Sequence, residues 1–595
     1  MYPIEIKTVI NGAVQSAMLP PLRGGAQSNP EAVPGPDIIV GDLPSMAQFG
    51  SDGTQVGLGV GTTSCNNGDK PVDWFALPST DHPVIPQNLY RMSGGASNND
   101  RFEQIGQSWM KHAFEALENN ACGFGCNTSG CTTGTHLCVG CSDPYDASLN
   151  ASQGGLGSRA WVNPFTGVFP SNSNNHSGHV HTGTSHRILV EGSDLNTALN
   201  AGATYYAESQ YITPHEYTWC QANPGQCNMY NNASYRQYSV TGTTNFSFSG
   251  VGATVRMSAA INAWAGATIN RIEPVPGVDG FGLLGFKVTN PSAGVWHYEY
   301  AIYNQNLDRG IQSFSVPLGC GITVNNLGFH APLNSPAFAN DGTQNSAGYS
   351  NAAWTSNQTC QALSWSSETF AQNQNANAIR FGTLYNFRFD SNSPPQATNA
   401  TIGFFKTGTP ITVAIQGPSP STCVPVQLTD AVSRKTHGAA GTFDVELPLS
   451  GSVGIECRSG GGNHTFVFTF TNNVVSGNAA VTSGVGTVSG PPTFSGNTMT
   501  VNLTGVSDVQ QITVTLSNVT DCFGSILPNT MVSAAMLIGD TTASRTVNAS
   551  DVAQVKGQVG VPVSTSNFRE DVTVNGSINA SDVGLVKANV GHSLP

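Results

Sequence analysis

Charge is scarce in this sequence. Asp, Glu, Lys and Arg make up 10% of 595 residues, against about 25% in an average globular chain. The 23 basic and 36 acidic residues leave a net charge of -13, and no basic cluster occurs. That excludes a protein built to displace counterions from nucleic acid or to bind an anionic membrane surface. Long apolar runs are also missing, and without about 18 uninterrupted apolar residues no transmembrane helix is expected. Residues 1–18 (MYPIEIKTVINGAVQSAM) lack the basic n-region and apolar core of a secretory leader. Export by another route, or a leader absent from this sequence, is therefore expected. No G-x-S-x-G elbow, Walker loop, H-E-x-x-H or dinucleotide fingerprint occurs, which removes the commonest hydrolase, NTPase, zincin and Rossmann readings.

What is abundant is Gly (67), Pro (34), Phe (27) and Tyr (15), enough turn formers and aromatic bulk for several folded cores. Short runs such as HRILVE, TYYAESQYI, SYRQYSV, GFGLLGFKVTN, WHYEYAIYN and IQSFSVPL recur between Gly, Asn and Pro clusters, the rhythm of antiparallel strands. In HYEYAIYN, Tyr298, Tyr300 and Ile302 share one face. One segment reads otherwise. From Asn98, NNDRFEQIGQSWMKHAFEALENN spaces Phe102, Ile105, Trp109, Phe114 and Leu117 three to five apart, which predicts a helix with His112 on its face. The fold class expected is mainly β: tandem β-sandwich domains, one helix in the N-terminal region and a small α domain at the C-terminus. The expected boundaries are a leader or linker at 1–37, a Cys-rich region at 38–145, a β region at 146–415, a linker at 416–429 (QGPSPSTCVP falls at its start), an Ig-like sandwich at 430–535 and a calcium-loop pair at 536–595.

Thirteen cysteines point to an oxidising compartment. Cys122, Cys126, Cys131, Cys138 and Cys141 crowd one Gly/Thr loop, and Cys220 and Cys227 bracket another. Zinc ligation and disulfides both fit this spacing, with disulfides favoured in so uncharged a chain. The odd total leaves at least one thiol free or intermolecular.

The tail repeats itself. DTTASRTVNASD runs from Asp540 to Asp551 and DVTVNGSINASD from Asp571 to Asp582, each followed by a helix-like V-x-x-V-K segment. Calcium loops of the EF-hand kind place oxygen ligands at positions 1, 3, 5, 7, 9 and 12 with Gly at 6. The second copy offers Asp571, Thr573, Asn575, Ser577, Asn579 and Asp582, with Gly576 at 6; the first offers Asp540, Thr542, Ser544, Asn548 and Asp551, with Arg545 in place of the glycine. This pair resembles the type I dockerin repeat, which implies a two-helix domain organised by calcium and, in some relatives, docking to a cohesin scaffold. Thr at position 3 and Ser or Asn at position 5 depart from that pattern, so weakened calcium binding is expected, the first loop weaker still. SRKTHGAAGTFDVELPL and GIECRSGG resemble an Ig-like module that precedes such tails in secreted bacterial proteins. VGTTSCNNGD, HPVIPQNLYRM, RFEQIGQSWMKHAF, GCSDPYDASLNASQGGLGSRAWVNPFTG and WHYEYAIYNQNLDR resemble a family of uncharacterised exported bacterial proteins. That resemblance implies secretion and carries no activity.

The strongest chemical signal is NNHSGHVHTGTSHRILVE, with His176, His179, His181 and His186 inside eleven positions. In an extended segment His179 and His181 face one side, and His186 can join them if the turn at 182–185 folds back. TPHEYTWCQANPGQCNMYNN adds His215, Glu216 and Met229 as further candidates, with a Cys220–Cys227 bridge holding Met229 near His215. Imidazoles with a thioether suit copper; three imidazoles with water or a carboxylate suit zinc. A solvated, unliganded loop would have the same composition. His82, His297, His330, His437 and His464 stand alone in pattern and read as structural. Glu191, Glu208, Glu216 and Glu299 supply carboxylates that a glycoside hydrolase would need in a facing pair. The reading that results is a secreted or cell-surface protein with a copper or zinc site and a calcium-binding tail, acting in binding or structure. A copper oxidoreductase and a polysaccharide-associated enzyme or carbohydrate-binding protein are the rivals; extracellular polysaccharide or a surface scaffold are the expected partners.

Overall fold

The computed structural model describes residues 32–176 and 178–594, with the backbone of an antiparallel hairpin formed by Ile4–Ile10 and Ala13–Leu19. Apart from that hairpin and 32–37, the leader expected at 1–37 lies outside the described residues. The protein is mainly β, built from several antiparallel sheets with few and short helices. It divides into two compact units, one formed by Met1–Pro317, Thr323–Asn357 and Leu363–Ser419, the other by Leu318–Ile322, Gln358–Ala362 and Pro420–Pro595.

The first unit centres on a nine-stranded sheet. Across it run Ser247–Val255, Ala233–Thr241, Thr204–Gln210, Val84–Ser93, Arg101–His112, Ile188–Glu191, Gln55–Val60 and Met46–Asp52, with Leu156–Gly157 paired to Arg101–His112. A three-stranded sheet, Ser142–Tyr145, Thr62–Asn66 and Ile38–Asp42, shares its apolar core through Ile38, Val40, Leu58, Leu89 and Ile105. Two five-stranded sheets follow. Their shared interior is aromatic: Phe314 lies 5.3 Å from Tyr300 and 5.0 Å from Phe387, and Trp365 is 5.5 Å from Phe387. The strand Val295–Asn304 shows the period-2 logic directly. Tyr300 faces that aromatic interior, while Ala301 and Tyr303 face Tyr90 and Phe102 of the large sheet. With both faces covered, Tyr298–Asn304 is buried without interruption.

The segment expected to be a helix is the strand Arg101–His112. Its pairing explains why. It is laddered to Val84–Ser93 on one side and to Ile188–Glu191 and Leu156–Gly157 on the other, so its backbone groups are satisfied by neighbours distant in sequence. Phe102 joins the core with Tyr90 and Tyr206, and Ile105 joins the core with Leu89 and Val190. Gly106 and Ser108 are poor helix interior residues, and Phe114 and Leu117, assigned to the same apolar stripe, lie beyond the strand and are exposed.

In the second unit two sheets face each other. One holds Gly441–Glu446, Leu428–His437, His464–Phe470, Thr498–Thr504 and Thr487–Val488, with Thr493–Ser495 alongside; the other holds Gly454–Glu456, Thr530–Met536, Gln510–Asp521 and Val474–Ser483. Gly454–Glu456 pairs in parallel with Thr530–Met536. Phe466, Phe468, Met499 and Val501 pack against Val514, Leu516, Val532 and Ala534. Helices Ala549–Gln558 and Ala580–Ala588 each begin with an Asn N-cap and an Asp three residues on that closes a capping box. Their Val555, Val583 and Val586 join Ile455, Ala535 and Leu537 in one core.

Twelve cysteines form six disulfides: Cys65–Cys122, Cys126–Cys141, Cys131–Cys138, Cys220–Cys227, Cys320–Cys423 and Cys360–Cys522. Cys457 is reduced and buried, and burial pushes its thiol up to about 11. Six bridges are the mark of an oxidising, extracellular-type environment. No helix among the described residues is long and apolar enough to cross a membrane.

The strand assignment of Arg101–His112 has a sign test. A methyl at Gly106 would sit 2.5 Å from Val190 Cγ2 and 2.8 Å from the Leu189 carbonyl oxygen. Gly106→Ala is therefore expected to destabilise by about 1–3 kcal/mol in urea denaturation; in a helix interior the same change would stabilise by about 1 kcal/mol.

Candidate metal centre

The histidine loop is not an extended strand but a series of turns leading into Ile188–Glu191. His179 N–H donates to the His176 carbonyl at 2.9 Å, and Ser185 N–H to the Thr182 carbonyl at 3.3 Å. The second turn folds the chain back and carries His186 to the other three imidazoles. His186 takes φ +63°, a left-handed conformation uncommon for a side chain with a Cβ. Its carbonyl accepts from Trp109 N–H at 2.8 Å, and its ring stacks on the Trp109 indole with centroids 3.8 Å apart and planes 11° from parallel.

The four imidazoles form one cluster. Ring centroids are 4.7 Å apart for His176–His186, 4.9 Å for His179–His186, 5.1 Å for His179–His181 and 5.2 Å for both His176–His181 and His181–His186. One nitrogen from each of His176, His181 and His186 lies within 4.8 Å of the other two. A tetrahedral ion with bonds of about 2.0–2.1 Å holds nitrogens ~3.4 Å apart, so small side-chain rotations close the set. Phe338 backs it, with its ring 4.4 Å from His179 and 5.4 Å from His186.

The nitrogens themselves are unspent. Both of His176, Nε2 of His179, Nδ1 of His181 and Nε2 of His186 are buried and lack a hydrogen-bond partner among the described residues. His186 Nδ1 faces the Gln153 carbonyl at 3.4 Å, so Nδ1 carries the proton and Nε2 is left with a free lone pair, the usual support of a ligating imidazole. Burial first, and then neighbouring imidazoles, push His186 down to about 3 and His176 down to about 4; His179 is lowered for the same reasons. These rings are neutral at pH 7, the state that ligates.

Another candidate, His215, is engaged elsewhere. His215 opens the helix Pro214–Ala222, where its Nδ1 accepts from Asp73 N–H at 3.1 Å. Met229 is half-buried in the turn after Cys227. Neither belongs to the imidazole cluster, whose nitrogens are supplied by one loop. The cysteine-rich loop offers Glu118 beside Cys126 and Cys141, and beside Cys131 and Cys138, but those sulfurs are paired in disulfides.

Sequence reasoning did not find the surroundings. Trp109, Phe338 and Gln153 come from separate parts of the chain and carry no local signal. Nor did it find the chain His82–His112–Ser173, in which His82 Nε2 and His112 Nδ1 are 2.8 Å apart and His112 Nε2 lies 3.1 Å from Ser173 Oγ. All three are buried, and they anchor the loop just before His176. Beyond Trp109 lies a cavity of about 60 Å3 lined also by Ser108, Arg159, Asp341, Tyr349 and Arg380.

The four carboxylates weighed for glycoside hydrolysis enter four separate networks. Glu191 accepts from Thr54 and Gln55, Glu208 from Asn88, Tyr90, Tyr303 and Ala260 N–H, Glu216 from Asn232, and Glu299 from Arg101 and His297. Among the described residues Tyr230 is the one Tyr or Trp with a well exposed ring. His297, His330, His437 and His464 are likewise tied into the fold.

In the tail, Asp540, Asp551, Asp571 and Asp582 are fully buried. Thr542 and Thr573 donate both N–H and hydroxyl to Oδ1 of Asp551 and Asp582, at 2.9 and 2.8 Å in each loop. Asp571 Oδ2 accepts from Gly576 N–H and from His437 Nδ1, both at 2.9 Å. Asn548 and Asn579 cap the helices through their oxygens, Asn575 Oδ1 accepts from Ser577 N–H at 3.0 Å, and Ser544 N–H donates to Asp540 at 2.9 Å. Arg545 adopts φ +71°, the left-handed turn that Gly576 makes at +88°. The aspartates of both loops are thus buried, and many of the loop oxygens' lone pairs already accept hydrogen bonds. No protein-family model matches this chain, and no curated protein matches it significantly.

Burial lowers His82, His112, His176 and His186 to about 4, 3, 4 and 3, so below about pH 6.5 these four side chains bind more protons in the unfolded chain than in the folded one. Their contribution to stability should be flat above that pH and fall as pH drops from about 6.5 toward 4, while Asp143, which burial raises to about 7, works in the opposite sense. Urea midpoints at pH 7.5, 6 and 5 on metal-free protein measure this, and His186→Gln should flatten the fall by one proton.

Proposed function

We propose that this is an extracellular β protein that binds one transition-metal ion through His176, His181 and His186, copper ahead of zinc. The observation that carries the reading is the convergence of one nitrogen from each of His176, His181 and His186 within 4.8 Å of one another, in a cluster whose buried ring nitrogens lack hydrogen-bond partners among the described residues, an arrangement costly to leave unfilled. The donor set is neutral and all-nitrogen, which suits copper and zinc alike, and the divalent affinity order favours copper. His179 stands beside the three ligands as a fourth, so the ion can be held in a closed structural site. Binding or structural use follows from such a site, which needs no open position.

The copper oxidoreductase reading rests on the cavity that shares Trp109 with the cluster: a small molecule there would lie one indole away from His186. The resemblance of the tail to dockerin repeats supports calcium at Asp571, Thr573, Asn575, Ser577, Asn579 and Asp582, with weaker binding at Asp540, Thr542, Ser544, Asn548 and Asp551, behind an Ig-like module. The crowded lone pairs of those loops are in keeping with low affinity.

Metal content by mass spectrometry on full-length protein produced in an oxidising compartment tests the main reading. About one copper or zinc per chain is expected in the wild type and in His215→Ala, and less than about a tenth of that in His181→Ala. Equal metal in the His181 variant would overturn the site.

A further inference from the structure

The first unit buries two carboxylates that no cationic side chain among the described residues answers. Asp37, just before the strand Ile38–Asp42, and Glu216, in the first turn of helix Pro214–Ala222, are 0% and 2% exposed. Neither has an ion pair among the described residues, and the two carboxyls are close enough to perturb each other. Around them are amides rather than bases. Asn67 Nδ2 lies 2.7 Å from Asp37 Oδ2, Asn231 Nδ2 lies 3.0 Å from both Asp37 oxygens, and Asn232 Nδ2 lies 2.7 Å from Glu216 Oε2.

Two oxygens are left over. Glu216 Oε1 and Asn231 Oδ1 are buried, and neither has a hydrogen-bond partner. Asn231 is 3% exposed, and because its amide nitrogen bonds Asp37, its orphaned oxygen lies at the same cluster. Burial, and then the facing Asp37, push Glu216 well above the usual carboxylate range; burial also raises Asp37. Two carboxylates excluded from water need either a shared proton or a cation between them. A proton shared between the two carboxyls would still leave the Asn231 oxygen unsatisfied, whereas an ion coordinated by oxygens would satisfy both.

We propose that Asp37, Glu216 and Asn231 form a buried site for a hard divalent cation, calcium first, that pins residues 32–37 to the helix Pro214–Ala222. Calcium takes six to eight oxygens in flexible geometry. The cluster offers carboxylate and amide oxygens and no imidazole or thiolate, a donor set distinct from the histidine centre. The pin has a visible consequence in the packing: Gly35 lies so close to the Trp219 ring that a Cβ there would overlap it. The site is independent of the histidine reading and of the tail loops.

Trp219 also provides the probe. It is three residues after Glu216 on the same helix, whereas residues 420–595 contain no Trp or Tyr, so the tail loops have no sensitiser in their own stretch of chain and the Glu216 variant identifies the site that gives the signal. Terbium added to full-length, calcium-stripped protein at pH 7 should give luminescence excited through tryptophan, displaced by calcium and lost in Glu216→Gln. Calcium should raise the wild-type melting temperature by several degrees above that in chelator and leave Glu216→Gln unmoved. Asn231→Asp, which adds a ligand charge, should bind calcium about tenfold more tightly. The shared-proton alternative gives opposite results: no sensitised signal, a melting temperature indifferent to calcium, Glu216→Gln at least as stable as wild type, and Asn231→Asp destabilised. Those results would overturn the proposal.

Discussion

The indole of Trp109 lying flat on the imidazole of His186 is the contact on which the histidine centre depends. Trp109 is placed by the strand Arg101–His112, which is held in register by ladders on both sides and covered on both faces. The same strand delivers Phe102 to the interface with the five-stranded sheets and His112 to the buried His82–His112–Ser173 chain. A rigid central strand therefore positions a loop that has no regular structure of its own. The left-handed backbone at His186 is the local cost of that arrangement, offset by the stacking contact and by the hydrogen bond from Trp109.

Scarcity of charge does not mean that the charges are at the surface. Glu208 is buried and satisfied by two tyrosines, an asparagine and a backbone N–H. In the second unit Glu456, Arg458, His437 and Asp571 form a continuous buried network. Burial pushes Glu456 up, but the Arg458 guanidinium at 2.7 Å brings it down to about 2. Arg458 Nη1 faces His437 Nε2, so the His437 proton is on Nδ1 and points at Asp571. Such networks give little net stability over an apolar core, yet breaking one partner is costly, and they tie the paired helices to the sheets before them. The Asp37–Glu216 cluster differs from these because no side-chain cation among the described residues completes it.

Several features could be read without the fold. Recurrent strand-length runs implied a mainly β chain, and crowded cysteines in so uncharged a chain implied disulfides with one thiol left over. The duplicated tail, through its resemblance to dockerin repeats, implied two helices. These are short-range properties: period-2 alternation, turn residues and caps act over a few residues, and the histidine cluster lies within eleven positions of one loop. The segment at 101–112 went the other way because apolar residues three to five apart fit a helix locally, while the strand is stabilised by partners from residues 84–93 and 188–190. Local pattern carries no information about those partners.

The sequence by itself determined the β composition, the oxidised cysteines, the tail repeats and which loop concentrates imidazoles, since each follows from residue type and near spacing. Tertiary structure alone decided that His186 turns back to meet His176 and His181, that His215 is engaged with Asp73, and that Trp109 and Phe338 wall the cluster. It also decided that Asp37 meets Glu216, 179 positions away in the chain. Contacts of that kind arise from sheet register and packing, where the free energy of burial is summed over the whole unit and no short stretch of sequence specifies the outcome.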